Sequence, residues 1–266
     1  MIFDTHAHYD DERFDEDREE LLADLKNENV GAVVNVGADF EGCASSMVLA
    51  EHWDFIYAAV GLHPDYVEFM DEDTLAKLRM WLNEPRCVAL GEIGLDYSRE
   101  EADREVQKYW FKRQLDLAKE ENKPVIIHSR DAAEDTMEML KAYSKELKAA
   151  GAEREELFKN PGVVHCFSYS KEMAEEYVKM GFFIGVGGVA TFKNGRKLKE
   201  VIEEIPLTSV LLETDCPYLA PVPFRGTRNY SAYIKYVVDA ISEIKGVCRE
   251  DIEKITFENA KKMYRL

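Results

Sequence analysis

Short runs rich in β-branched residues alternate with amphipathic charged stretches along the whole chain, and this alternation constrains the fold more than any other feature. Strands are predicted at Ile2 to Thr5, Ala32 to Val36, Phe55 to Val60, Cys87 to Leu90, Val125 to Ile127, Val163 to Cys166, Phe182 to Val186 and Val210 to Glu213. Helical patterns cover Arg18 to Glu28, Asp73 to Leu82, Asp103 to Glu121, Met173 to Met180 and Leu198 to Glu204, with two more near Ser231 to Ile244 and Arg249 to Tyr264. Strands that alternate with helices imply a parallel sheet with crossover helices. Eight such units in 266 residues suit an α/β fold of the (β/α)8 TIM barrel type, a single domain over 1–266, better than a doubly wound sheet.

Other classes fall away. The longest apolar runs, such as Val30 to Val36, are strand-sized, far short of the roughly 20 residues of a membrane helix. The start, MIFDTHAHYDDE, has neither the basic region nor the apolar stretch of a signal peptide. Five scattered cysteines, Cys43, Cys87, Cys166, Cys216 and Cys248, form no CxxC pair and read as reduced thiols of a cytoplasmic protein. Lys and Arg number 34 against 52 Asp and Glu, a formal charge of −18. Such a chain cannot hold a polyanion by bulk attraction, so any phosphate contact must be local or metal-borne.

In such a barrel the chemistry gathers at the C-terminal ends of the strands. His6 and His8 lie two apart in DTHAH, so both can aim to one side of the first strand. The fourth strand ends in CVALGEIG with Glu92, the fifth in PVIIHSR with His128, the sixth in VVHCFS with His165 and the eighth in VLLETDCPYL with Asp215. Any one of these could be a buried polar group or a cap, but six at one face point to a metal centre. Imidazole and carboxylate donors suit divalent ions such as Zn, Mn, Mg, Fe or Ni. Six donors exceed the need of a single hydrolytic zinc, so two ions are expected, with Glu92 bridging them.

Around the same rim, His63 in AVGLHPDY is a candidate phosphate contact or a turn residue before Pro64. Arg130, Arg225 and Arg228 are candidate phosphate contacts, whereas Lys193, Arg196 and Lys197 fit a solvated helix start. His52 reads as a surface residue on the outer wall. Gly185, Gly187 and Gly188 lack the GxGxxG spacing and read as sites of close backbone approach or of a turn. The long connection from Asp131 to Pro161 should form a helix, a turn at Gly151 and a second short helix, either as solvated surface or as a lid.

Taken together, DTHAHYDD, VGLHPD, GEIGLDY, PVIIHSR, VVHCFS, ETDCPYLAP and RGTRN resemble the TatD-type metal-dependent hydrolases of the amidohydrolase superfamily, over essentially the whole chain. The resemblance implies a barrel with one or two divalent metals and phosphodiesterase activity, a deoxyribonuclease with 3′ exonuclease action on single-stranded DNA. It implies His6, His8, Glu92 and Asp215 around one ion and Glu92, His128 and His165 around the other. His63 would approach the substrate phosphate, and Asp215, with Glu92 the expected catalytic carboxylate pair, would orient the nucleophilic water. The expected partner is DNA or another phosphoester. Hydrolysis of another ester or amide, as in aminoacyl-tRNA deacylation, stays open, as does a scaffold that merely keeps its metal. Two departures stand out: Tyr230 and Ser231 follow Arg228 and Asn229 where the family has Glu and Pro, and the connection before His165 is long.

Overall fold

The structure, a computed structural model, describes residues 1–98 and 103–266. Eight parallel strands, β1 (Ile2–Ala7), β2 (Val30–Val36), β3 (Ile56–Val60), β4 (Cys87–Asp96), β5 (Val125–Arg130), β6 (Gly162–Val164), β7 (Phe183–Val186) and β8 (Val210–Leu212), follow one another in sequence order. A parallel bridge from Ala7 to Cys216 joins the first strand to the chain just beyond the last. The helices are α1 (Arg18–Asp24), α2 (Phe40–His52), α3 (Glu72–Leu82), α4 (Arg104–Glu120), α5 (Ala133–Ala149), α6 (Glu155–Lys159), α7 (Lys171–Lys179), α8 (Arg196–Glu204), α9 (Ile234–Lys245) and α10 (Arg249–Tyr264). This is the expected (β/α)8 barrel.

Several helices start on side-chain caps that occupy otherwise unpaired amides: Asp39 accepts from the Gly42 amide at 2.7 Å, Asp71 from Thr74 at 2.8 Å and Asp103 from Glu105 at 2.9 Å. α9 ends on Gly246 in the left-handed region. α1 stops four residues before the predicted Glu28, and Ser231–Tyr233 forms a short 3₁₀ turn ahead of α9.

Two layers of apolar side chains alternate along the strands. Phe3, Val34, Ala59, Ile126, Val163, Phe183 and Leu211 form the barrel interior, while Ile2, Val33, Ile56, Val125, Ile184 and Val210 pack outward on the helices. α10 adds Ala260, Met263 and Tyr264 to the interior layer, and the Tyr264 hydroxyl donates to the Thr5 carbonyl at 2.9 Å. One end of the barrel is thereby plugged, which leaves the C-terminal end for the polar groups.

Two strands break the alternation where it matters. Register irregularities fall between Asp4 and Ala7 on β1 and between Leu90 and Ile93 on β4, the stretches that carry His6 and Glu92. A bulge shifts the phase of the pleat and re-aims the side chains beyond it. β4 also runs on to Asp96, six residues past the predicted end.

The long connection does form a helix, a 3₁₀ turn at Gly151–Arg154 and a short helix. Arg154 donates to the Lys119 carbonyl at 2.7 Å, at the last turn of α4, where the chain turns back into β5. The added residues therefore lie at the N-terminal end of the barrel, away from the strand ends that carry the site. That position removes the lid alternative and leaves solvated helix surface.

Gly94 shows how tightly the strands approach near the site. Its φ is +149°, and a Cβ there would come within 1.9 Å of the His128 carbonyl oxygen on β5. Gly94→Ala is expected to cost about 2–4 kcal/mol and to lower the thermal midpoint by roughly 4–12 °C. Thermal denaturation checks this, and a wild-type midpoint would mean that the β4–β5 pair relaxes freely.

Candidate metal centre

The structure brings all six predicted ligands together at the C-terminal mouth. Glu92, 4% exposed, stands at the centre. Its Oε1 lies 2.6 Å from His165 Nε2 and 2.7 Å from His128 Nδ1, while its Oε2 lies 3.4 Å from His6 Nε2 and 3.9 Å from His8 Nε2. The two carboxylate oxygens thus face two different histidine pairs. Asp215 Oδ1 closes the first pair, at 3.5 Å from His8 Nε2 and 3.8 Å from His6 Nε2.

Within each pair the nitrogens face each other, 3.0 Å apart for His6 and His8 and 3.4 Å for His128 and His165. Ligands about 2.0–2.3 Å from one ion at near-tetrahedral angles lie about 3–4 Å apart, so these spacings fit donors sharing a cation. Three overlapping groups can hold an ion: His6, His8 and Asp215; His6, Glu92 and His165; and His63, Glu92 and His128. The cluster is continuous, and the third group brings in His63, which the sequence placed as a phosphate contact or a turn residue before Pro64 but not as a ligand.

Neighbouring groups fix the rings. His8 Nδ1 donates to the Val36 carbonyl at 2.7 Å, which leaves Nε2 for the centre. His128 Nε2 meets Asp96 Oδ2 at 3.1 Å, so Nδ1 faces Glu92. The His6 and His165 rings stack at 4.0 Å with 9° between their planes. His63 Nδ1 accepts from the Asp65 amide at 3.2 Å, and burial holds the ring's pKa down to about 3. His63 is therefore neutral and carries its proton on Nε2, 3.8 Å from Glu92 Oε1, as a donor aimed into the site.

The electrostatics demand cationic charge. Burial pushes the Glu92 carboxyl up, but the charge of His165 and hydrogen bonds from His128, His165 and His6 hold it well below the usual range. Asp215 is likewise lowered, because His8 and the other imidazoles outweigh its burial. Burial opposes charge on His8 and His128, yet the carboxylates facing them raise the two to about 10 and about 9. His6 goes down to about 4 through burial and the neighbouring His165. Without a metal, protons on imidazoles balance the two carboxylates, and a divalent ion is the natural replacement.

Three carboxylates that the sequence reading passed over support this cluster. Asp4 accepts from the Thr214 hydroxyl at 2.6 Å, the Ser231 hydroxyl at 2.7 Å, the Thr214 amide at 3.0 Å and the His6 amide at 3.3 Å. It sews β1 to the end of β8 between two ligands, and burial drives its pKa up to about 6 despite those bonds. Glu213 accepts from the Cys166 amide at 2.5 Å beside His165, in space that Gly185 leaves open, since a Cβ there would stand 2.3 Å from Glu213 Oε2. Asp96 orients His128. A signal existed for all three in their spacing, since each lies two or four residues from a ligand in the sequence.

The rim cations fare differently. Arg130 is exposed at the end of β5, two residues beyond His128, with no ion-pair partner among the described residues. Arg225 lies 4.5 Å from the Phe192 ring centroid. Arg228 has another role: its guanidinium pairs with Asp17 at 2.8 and 2.5 Å, donates to the Arg13 carbonyl and lies over the Phe14 ring, so it ties two loops together instead of waiting for phosphate. Arg196 pairs with Glu200 four residues on, which fits the solvated helix start. His52 is exposed on α2, 3.6 Å from Glu19. All five cysteines are free, and Cys166 is only partly buried.

The TatD related DNase family model matches residues 3–265. The chain belongs to that family. YabD of Bacillus subtilis (strain 168), named a metal-dependent hydrolase, is 45% identical over 266 residues, all of both chains. A protein of Erwinia tasmaniensis named 3′-5′ ssDNA/RNA exonuclease TatD is 30% identical, again over all of both chains. The crystal structure of YjjV, the TatD homologue of Escherichia coli K12, superposes with a TM-score of 0.89 at 32% identity, covering 100% of this chain and 98% of that one. This TatD-family protein is a metal-dependent hydrolase.

Asp96→Asn keeps the shape but removes the carboxylate that holds His128 Nε2. Loss of such a partner is expected to weaken metal binding by about 10- to 100-fold, measured by competition with a chromogenic chelator. An unchanged affinity would show that the His128 ring is held by packing alone.

Proposed function

We propose that this TatD-family protein is a deoxyribonuclease that removes nucleotides from the 3′ end of single-stranded DNA, with two divalent ions in the six-ligand cluster. The observation that carries the reading is Glu92, whose two oxygens face two separate histidine pairs about 3 Å apart within each pair. His6, His8 and Asp215 would hold one ion, His128 and His165 the other, and Glu92 would bridge. Bound there, divalent ions polarise a phosphoryl oxygen and lower the pKa of water from 15.7 towards about 7.

The protein's own groups then have separate tasks. Asp215, kept ionised by its imidazole neighbours, takes the proton of the attacking water. Neutral His63 donates from Nε2 to a phosphate oxygen, and Arg130 and Arg225 meet charge on the flanking strand. The name of the Erwinia relative supports a single-stranded substrate. The free cysteines suit a reducing compartment, and we place the enzyme in the cytoplasm.

The test is product mapping on end-labelled single-stranded oligonucleotides with chelated protein reloaded with Mn²⁺ or Mg²⁺, alongside aryl esters and aminoacyl-tRNA. The expected products are mononucleotides released from the 3′ end, with Asp215→Asn losing at least about 100-fold in kcat. Ester or aminoacyl hydrolysis without DNA cleavage would replace the nuclease reading by the ester-hydrolase one.

A further inference from the structure

Tyr218 stands three residues beyond Asp215 with 48% of its surface exposed, although its position is closely fixed. Its amide donates to the Asp215 carbonyl at 2.9 Å, and its own carbonyl accepts from Asn229 Nδ2 at 2.8 Å. The ring packs edge-on to the His8 ring, 6.5 Å between centroids, and among the described residues no other aromatic ring outside the histidines pairs with a ligand ring. The Arg13 guanidinium lies 4.2 Å from the Tyr218 ring centroid and is itself clamped by Asp11 at 2.8 and 2.7 Å. Tyr218 OH donates to the same Asp11 at 3.4 Å. The loops after β1 and β8 thus meet to present one stiff aromatic ring at the edge of the metal cluster.

We infer that Tyr218, backed by Arg13, is the stacking platform for the nucleobase next to the scissile phosphate. The inference rests on the nuclease reading above and names the part of the substrate that this lip recognises. A chain of charge −18 gains little from long-range attraction to a polyanion, and at this lip the Arg13 charge is already neutralised by Asp11. Stacking needs no net charge and accepts any base, because every base has a π face. The ring is held through Asp215 and lies against His8, so a base stacked on it leaves its own phosphate within reach of the ligands. A guanidinium already over the ring removes rotamer freedom before the substrate arrives.

The test uses the metal-loaded protein, its Tyr218→Ala and Tyr218→Phe variants, and two phosphodiesters: a single-stranded oligonucleotide and methyl p-nitrophenyl phosphate, which has no nucleobase. The ratio of kcat/KM for the oligonucleotide to that for the small diester should fall about 5- to 100-fold in Tyr218→Ala and be retained in Tyr218→Phe. Removing one base beside the scissile phosphate should impose the same loss on the wild type and no further loss on Tyr218→Ala. With chelated protein, which cannot cleave, 2-aminopurine at that position should be quenched by the wild type and by Tyr218→Phe but not by Tyr218→Ala. An unchanged ratio, or a base-removal penalty equally large in Tyr218→Ala, overturns the platform while leaving the nuclease reading intact. Turnover of the small diester with no cleavage of DNA by the wild type overturns the nuclease reading, and the platform with it.

Discussion

A buried carboxylate at the mouth of the barrel, Glu92, sets the conditions for everything around it. It is nearly excluded from solvent and ionised, and an ion in that position is tolerated only when it is paired and hydrogen-bonded. Four imidazoles and a second carboxylate, Asp215, surround it with their donor atoms turned inward. Burial lowers all these imidazoles; the facing carboxylates outweigh it at His8 and His128, which rise, whereas at His6 burial and the neighbouring His165 win. The arrangement is poor as a hydrogen-bond network and good as a ligand set, because one cation can satisfy several donors that cannot satisfy one another.

Holding such a cluster falls to the groups behind it. Asp4 joins the first strand to the end of the eighth between His6 and Asp215, so barrel closure and ligand placement are one event. Ser231, which stands where the family pattern has proline, donates a further hydrogen bond to Asp4 and accepts one from the Tyr9 hydroxyl. Ser231 thus adds to the support of the site. On the other side Asp96 fixes His128 and Glu213 fixes the backbone beside His165.

Much of this was legible in the sequence because the barrel rule converts strand ends into neighbours. His128 and His165 each follow an inward residue, Ile126 and Val163, at a spacing of two, so simple alternation aims them inward, whereas Asp215 lies beyond the end of β8 on backbone with φ +55° and is placed by that turn. The same count fails for His6 and Glu92, three residues from the inward Phe3 and Ala89, and only the register breaks in β1 and β4 bring them into phase. Period counting cannot reveal a bulge. The error over Arg228 has a different origin. Sequence places an arginine at the rim but cannot show that Asp17 from another loop already occupies it. Under the proposed function, the excess of acidic residues would confine contact with a polyanion to the cluster and the cations around it.

Calorimetric titration of the chelated protein with Mn²⁺ or Zn²⁺, in two buffers of different ionisation enthalpy, tests the central claim most directly. Ions must displace the protons held on His8 and His128, so binding should release protons and tighten as the pH rises from 6 to 8. The account predicts two ions per chain, with Glu92→Gln weakening both. Absence of binding, or a Glu92→Gln variant that binds as the wild type does, would contradict it.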